Sequence, residues 1–160
     1  RRPPRSTLDR SSAASDVYKR QLCEAGLLPG ALMRNDHLQF RCQWVNLKIE
    51  SVTTPFTETI NSLKPLRVPI SHGEGQYYAN EDTLKQLEQD DRIVFKYCEP
   101  NGDITKASNP NGSVNNIAGI VNSNRNVLGM MPHPEKACED ILGSSDGLNI
   151  FQSILSSTSK

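Results

Sequence analysis

Long apolar runs are missing from this 160-residue sequence, and aromatic residues make up only 6% of it. No stretch approaches the roughly 18 consecutive apolar residues of a membrane-spanning helix, and no apolar run near the start could form a signal-peptide core. The chain is expected to be soluble and cytoplasmic, with no membrane partner. Paired cysteines are missing too. The four fall at Cys23, Cys42, Cys98 and Cys138, with no Cys-x-x-Cys motif and no histidine at finger spacing. That spacing argues against structural zinc, and without a secretory signal the thiols are expected to be reduced and mostly buried. Net charge is absent as well, with 18 basic against 18 acidic residues, but the balance is uneven. Residues 1–21 hold six Lys/Arg and two Asp/Glu, which leaves twelve against sixteen in residues 22–160. A mildly acidic body lacks the clustered positive face that phosphate neutralisation requires, so no nucleic-acid partner is expected.

What is present suits one domain. Residues 1–21 are rich in Pro, Arg and Ser, carry no helical or strand period, and stop abruptly where LCEAGLLPG begins. They read as a non-native or disordered head, with a folded segment at 22–160. Leu22 to Ala25 look like the last turn of a helix closed by Gly26, with Pro29 soon after. Val45, Leu47 and Ile49 alternate with Trp44, Asn46 and Lys48, the signature of a half-buried strand. The internal proline of LRVPI at 66–70 places that strand at a sheet edge. Asn80 before Glu81 and Asp82 signals a helix start, with Leu84 and Leu87 as its apolar side. Strands follow at 92–98, 116–121 and 127–131, the first closed by Asn101-Gly102. A last helix is expected from about Ser145 to Leu155, capped by serine and Asp146, with Leu148, Phe151, Ile154 and Leu155 facing inward. Strands interleaved with helices point to an α/β domain with a mixed sheet.

Three clusters could carry chemistry. In Met131-Pro132-His133-Pro134-Glu135, Pro134 favours an extended His133, and residues two apart in an extended chain share a side. A carboxylate beside an imidazole fixes its tautomer and supports a general base, although the same residues could form an ordinary turn. His72-Gly73-Glu74-Gly75 repeats the His-x-Glu spacing. Two such pairs could meet at a divalent metal, or the segment could be a solvated glycine-rich turn. In Asn109-Pro110-Asn111-Gly112-Ser113, dense in turn formers, the amides and the Ser113 hydroxyl could hold a polar substrate or simply close a turn.

Taken in order, GLLPGALMRN, HGEGQYYA, NPNGSVNNIAGIVN, NVLGMMPHPE and LGSSDGLNIF closely resemble the glutaminase subunits of phosphoribosylformylglycinamidine synthase, from about residue 22 to residue 156. These are triad-type glutamine amidotransferases of purine biosynthesis. The resemblance implies a flavodoxin-like class I glutamine amidotransferase domain. In that family a cysteine attacks the glutamine carboxamide, and the ammonia released passes to a synthetase subunit that amidates formylglycinamide ribonucleotide with ATP. It implies that His133 is the base and acid of the reaction and that Glu135 orients it, while His72, Gly73, Glu74 and Ser113 contact substrate or partner. It also implies no metal and no cofactor in this subunit, with ATP and Mg bound by the synthetase, and leaves open a third small subunit.

The departure from the family lies upstream. Its nucleophile occupies a Gly-x-Cys-x-Gly elbow just before the segment that reads LCEAGLLPG here. None of Cys23, Cys42, Cys98 and Cys138 has that context. The chain is expected to be the C-terminal part of the domain, without the opening strands and the elbow, and inactive alone. A non-catalytic docking or regulatory module of the synthetase is the alternative, and a metal-dependent hydrolase built on the paired His-x-Glu motifs is a third reading.

Overall fold

A computed structural model of the chain describes residues 21–158. Of the head expected at 1–21, all but Gln21 lies outside the described residues. Residues 21–24 are helical, the Ala25 amide donates to the Gln21 carbonyl at 2.8 Å, and Gly26 follows at φ +70°. A left-handed glycine closes the turn where a side chain would be strained.

Strand β1 (Ala31–Met33) pairs with β4 (Gln76–Tyr78) in a small two-stranded sheet. The main sheet contains β2 (Arg41–Ile49), β3 (Leu66–His72), β5 (Ile93–Cys98), β6 (Ile117–Val121) and β7 (Leu128–Met130), in the order β3-β2-β5-β6-β7. Every ladder among the described residues is antiparallel; the mixed sheet was expected of a whole domain with further, opening strands. The neighbours β2 and β3 are joined by turns alone, and so are β6 and β7, whereas parallel neighbours need a long crossover, usually a helix.

The expected alternation in β2 holds, with Val45, Leu47 and Ile49 buried. They meet Leu66, Val68 and Ile70 of β3 and Phe95 and Tyr97 of β5 in one core. A second core, formed by Leu28, Tyr77, Ala79, Leu87, Ile93, Ile117 and Ile120, includes residues from β5 and β6. All five residues of β6 are buried, which makes it an interior strand covered on both faces. Helix α1 (Glu81–Gln89) begins where expected. The Asn80 side chain accepts from the Thr83 amide at 2.9 Å, and Leu87 is its buried anchor.

Strand β3 is the edge, as Pro69 requires. Pro69 stands opposite Trp44, and its missing N–H removes no ladder bond. Helix α2 (Leu148–Thr158) departs from expectation in start and in face. Its buried residues are Ile150 and Ser153, with Ile154 packed against the core, while Leu148 and Phe151 are partly exposed and Leu155 is 67% exposed. Asp146 does not begin the helix. Its carboxylate accepts the Arg67 backbone N–H of β3 at 2.8 Å, so the chain turns into the helix only after that tie. No described helix is long and apolar enough to cross a membrane.

Candidate active site

Strand β7 leads into Met131-Pro132-His133, and the His133 amide donates to the outward-facing carbonyl of Pro69 on edge strand β3 at 2.8 Å. Pro134 then opens a 3-10 turn over Pro134–Lys136. The His133 imidazole is 4% exposed, and its Nδ1 lies 2.6 Å from Glu135 Oε1. An ionised carboxylate only accepts, so Nδ1 carries the proton and Nε2 is the basic nitrogen. The two side chains meet as expected, by a different route. His133 has φ −108° and ψ 85°, and Glu135 comes round through the 3-10 turn rather than along a continuous extended chain. Glu135 keeps 55% of its side chain exposed and borders an open depression lined by Cys42, Trp44, Pro69, Lys136 and Leu142. A buried imidazole held by a half-exposed carboxylate can take a proton from a nucleophile and return it to a leaving group.

The remaining motifs form a separate polar centre. His72 closes β3, fully buried, with Nδ1 3.1 Å from Asn35 Oδ1 and Nε2 3.4 Å from Asn111 Nδ2. The Asn35 amide nitrogen donates to the carbonyls of Gln39 at 2.8 Å and His72 at 3.0 Å, while its oxygen also accepts the Gly75 amide at 3.0 Å. Those bonds fix which end of Asn35 is oxygen, and hence that His72 donates from Nδ1. Asn111 donates to the Gly75 carbonyl at 2.8 Å and accepts from the Ser113 hydroxyl at 2.8 Å, and the same hydroxyl accepts the Tyr77 amide at 3.0 Å. With the Gly73 carbonyl accepting the Asn35 amide at 3.0 Å, His72, Gly73 and Ser113 therefore tie three segments together, around Asn35, Gly75 and Asn111. Glu74 lies at the surface with Arg34 at 3.6 Å.

From Pro69, which carries His133, to His72 is three residues along a strand, about 10 Å at the usual rise. The two His-x-Glu pairs do not come together, and among the described residues no group of three or more His, Cys, Asp or Glu could hold a metal. The metal-dependent hydrolase loses its motif. Asn35, 37 residues from its partner His72, could not be found from the sequence. Asn111 was visible as a turn former or a substrate-holding amide, not as the partner of His72.

All four cysteines are free, but only Cys98 is buried; Cys23 and Cys138 are half-buried and Cys42 is exposed. The expectation that most would be buried fails because Cys42 lies on β2 opposite the edge strand, beside the open depression. Burial pushes the Cys98 thiol up to about 11. Burial and Glu24 raise Cys23, and burial with Glu135 and Glu139 raises Cys138. Raised thiols are poor nucleophiles at neutral pH. At pH 8 about one Cys98 in a thousand is thiolate, so maleimide labelling followed by peptide mass mapping is expected to find Cys42 modified first and Cys98 last. Early labelling of Cys98 would contradict this placement.

A family model described as the CobB/CobQ-like glutamine amidotransferase domain matches residues 22–151. The chain is 59% identical over 134 residues to the phosphoribosylformylglycinamidine synthase subunit PurQ of Moorella thermoacetica, covering 84% of this chain and 57% of that protein. It is 52% identical over 134 residues to the subunit of the same name from Methanosarcina barkeri, covering 84% of this chain and 58% of that one. Among solved structures, PurLQS from Thermotoga maritima contains a chain that matches with a TM-score of 0.72 and 39% identity, over 88% of this chain and 58% of that one. The chain thus spans somewhat more than half the length of these relatives.

Proposed function

Since the chain belongs to the CobB/CobQ-like glutamine amidotransferase family, we propose that the complete protein carrying it is the glutaminase subunit of a phosphoribosylformylglycinamidine synthase. It hydrolyses glutamine to glutamate and ammonia for a synthetase subunit that converts formylglycinamide ribonucleotide to its amidine with ATP. The observation that carries this reading is the 2.6 Å bond between His133 Nδ1 and Glu135 Oε1 on a buried imidazole. His133 Nε2 takes the proton of a cysteine thiol as sulfur attacks the carboxamide carbon, and delivers it to the departing ammonia. It then takes a proton from the water that splits the thioester, so that glutamate leaves and the thiol is restored. Glu135 holds the ring and stabilises the transient imidazolium.

The nucleophile in this reading is supplied from a Gly-x-Cys-x-Gly elbow that this sequence does not contain. Residues 1–21 are then not native to the domain, and the chain by itself does not hydrolyse glutamine. No metal or cofactor is needed here, ATP and Mg being held by the synthetase, and a third small subunit can join. Four free cysteines favour the cytoplasm. The test is glutamate release from glutamine, measured for the complete subunit assembled with its synthetase and for this chain alone. Release by the assembly only is expected. Release by the chain alone, or none from the assembly, overturns the reading.

A further inference from the structure

The segment that follows the His133–Glu135 turn folds back beneath it. The Gly147 amide donates to the Ala137 carbonyl at 2.8 Å, immediately past the 3-10 turn. A Cβ at position 147 would fall 2.1 Å from the Pro134 carbonyl oxygen and 2.8 Å from that of Ala137, closer than real Cβ atoms approach. The backbone at Gly147 therefore presses directly against the residue between His133 and Glu135. One residue earlier, Asp146 Oδ2 accepts the Arg67 N–H of β3 at 2.8 Å. Two residues along the same strand, the Pro69 carbonyl accepts the His133 N–H at 2.8 Å.

These contacts close a ring. It runs from β3 through His133, Pro134 and Ala137 to Gly147 and Asp146, then back to β3. The rest of the loop is held to the same wall, with Arg67 Nη1 donating to the Gly143 carbonyl at 3.0 Å and the Arg67 guanidinium lying 4.7 Å from the Trp44 ring centroid. Glu135 is more than half exposed, so little else around its side chain restrains it. A 3-10 turn of three residues has few internal bonds of its own and takes its geometry from what packs on it.

We propose that Asp146 and Gly147 are positioning residues for glutamine hydrolysis, a brace that sets the angle at which Glu135 meets His133. This rests on the reading of those two residues as the glutaminase pair. The Asp146 carboxylate bonds Arg67 and the Gly147 amide bonds Ala137, so both act through the turn. Reacting groups displaced by about 1 Å lose on the order of a hundredfold in rate, so the brace acts on kcat while glutamine binding is left in place.

The experiment uses the complete subunit assembled with its synthetase. Asp146→Ala is expected to lower kcat for glutamine hydrolysis by about tenfold with KM within threefold, and Asp146→Asn, which keeps an acceptor oxygen for the Arg67 amide, to recover most of that loss. Gly147→Ala is expected to lower kcat by about a hundredfold. If Gly147→Ala does not assemble, the two Asp146 variants decide the matter alone. A kcat within twofold of the parent in Asp146→Ala, a loss carried mainly by KM, or a loss that Asp146→Asn does not relieve overturns the brace. His133→Ala measured alongside separates the two claims: if it retains activity, the glutaminase reading fails, and if it is inactive while Asp146→Ala is unimpaired, only the brace fails.

Discussion

Replacing His133 with alanine in the complete subunit is expected to lower the kcat for glutamine hydrolysis by about a thousandfold or more. The imidazole serves every proton transfer of the cycle, and a unit that acts together loses most of its effect with any one member. At 4% exposure, His133 sits where bulk water cannot easily stand in for it. Glutamine binding is expected to persist, since the imidazole acts on the reacting bond. Glu135→Gln is expected to cost less, about a hundredfold, because the amide can turn its oxygen to Nδ1–H while the charge that stabilises the imidazolium is gone. Steady-state glutamate release by the assembled enzyme gives both values. Equal losses in the two variants would mean that the negative charge of Glu135 matters as much as the imidazole itself.

The second large effect concerns stability. Asn35→Ala is expected to destabilise the subunit by about 3 kcal/mol in urea unfolding followed by circular dichroism. Asn35 is fully buried, and its side chain satisfies His72 Nδ1–H, the Gly75 amide and the carbonyls of His72 and Gln39. An alanine leaves the His72 ring, the Gly75 amide and the His72 carbonyl without this partner, and a buried polar group so left costs about 1–3 kcal/mol. Asn35→Asp keeps the acceptor for His72 and Gly75 but sets a carboxylate against two carbonyls, so it is expected to destabilise as well. A change below about 1 kcal/mol in Asn35→Ala would mean that ordered water replaces the amide without loss.

What the sequence made legible was local. Alternation through Val45, Leu47 and Ile49 reports burial directly, because a strand repeats every two residues. Pro69 announces an edge by lacking a donor, Asn80 announces a helix start by its short acceptor side chain, and His133 with Glu135 shows itself by spacing. The misreadings all involve partners distant in sequence. Strand direction depends on which strands meet, and neither β2 nor β5 states its neighbour. The inward face of α2 was taken from its most apolar positions, yet Ser153 is buried while Leu155 is exposed, since the start of the helix is set by the Asp146 tie to Arg67, 79 residues away. For His72 and Ser113 the resemblance implied contact with substrate or partner, and their bonding within the fold was not legible beforehand. Their partners Asn35 and Asn111 turn the same atoms inward.

The ties along β3 also give the sheet a direction. At Arg67 an outward N–H is taken by a carboxylate, at Pro69 the outward carbonyl is taken by an amide, and the proline nitrogen has no hydrogen to offer. A foreign strand approaching that side finds no regular ladder to copy, which is how natural sheets resist aggregation through their edges. Strand β7, at the opposite end of the order, pairs with β6 alone among the described strands. Among the described residues, a strand that lengthens this sheet meets fewer such ties at β7 than at β3.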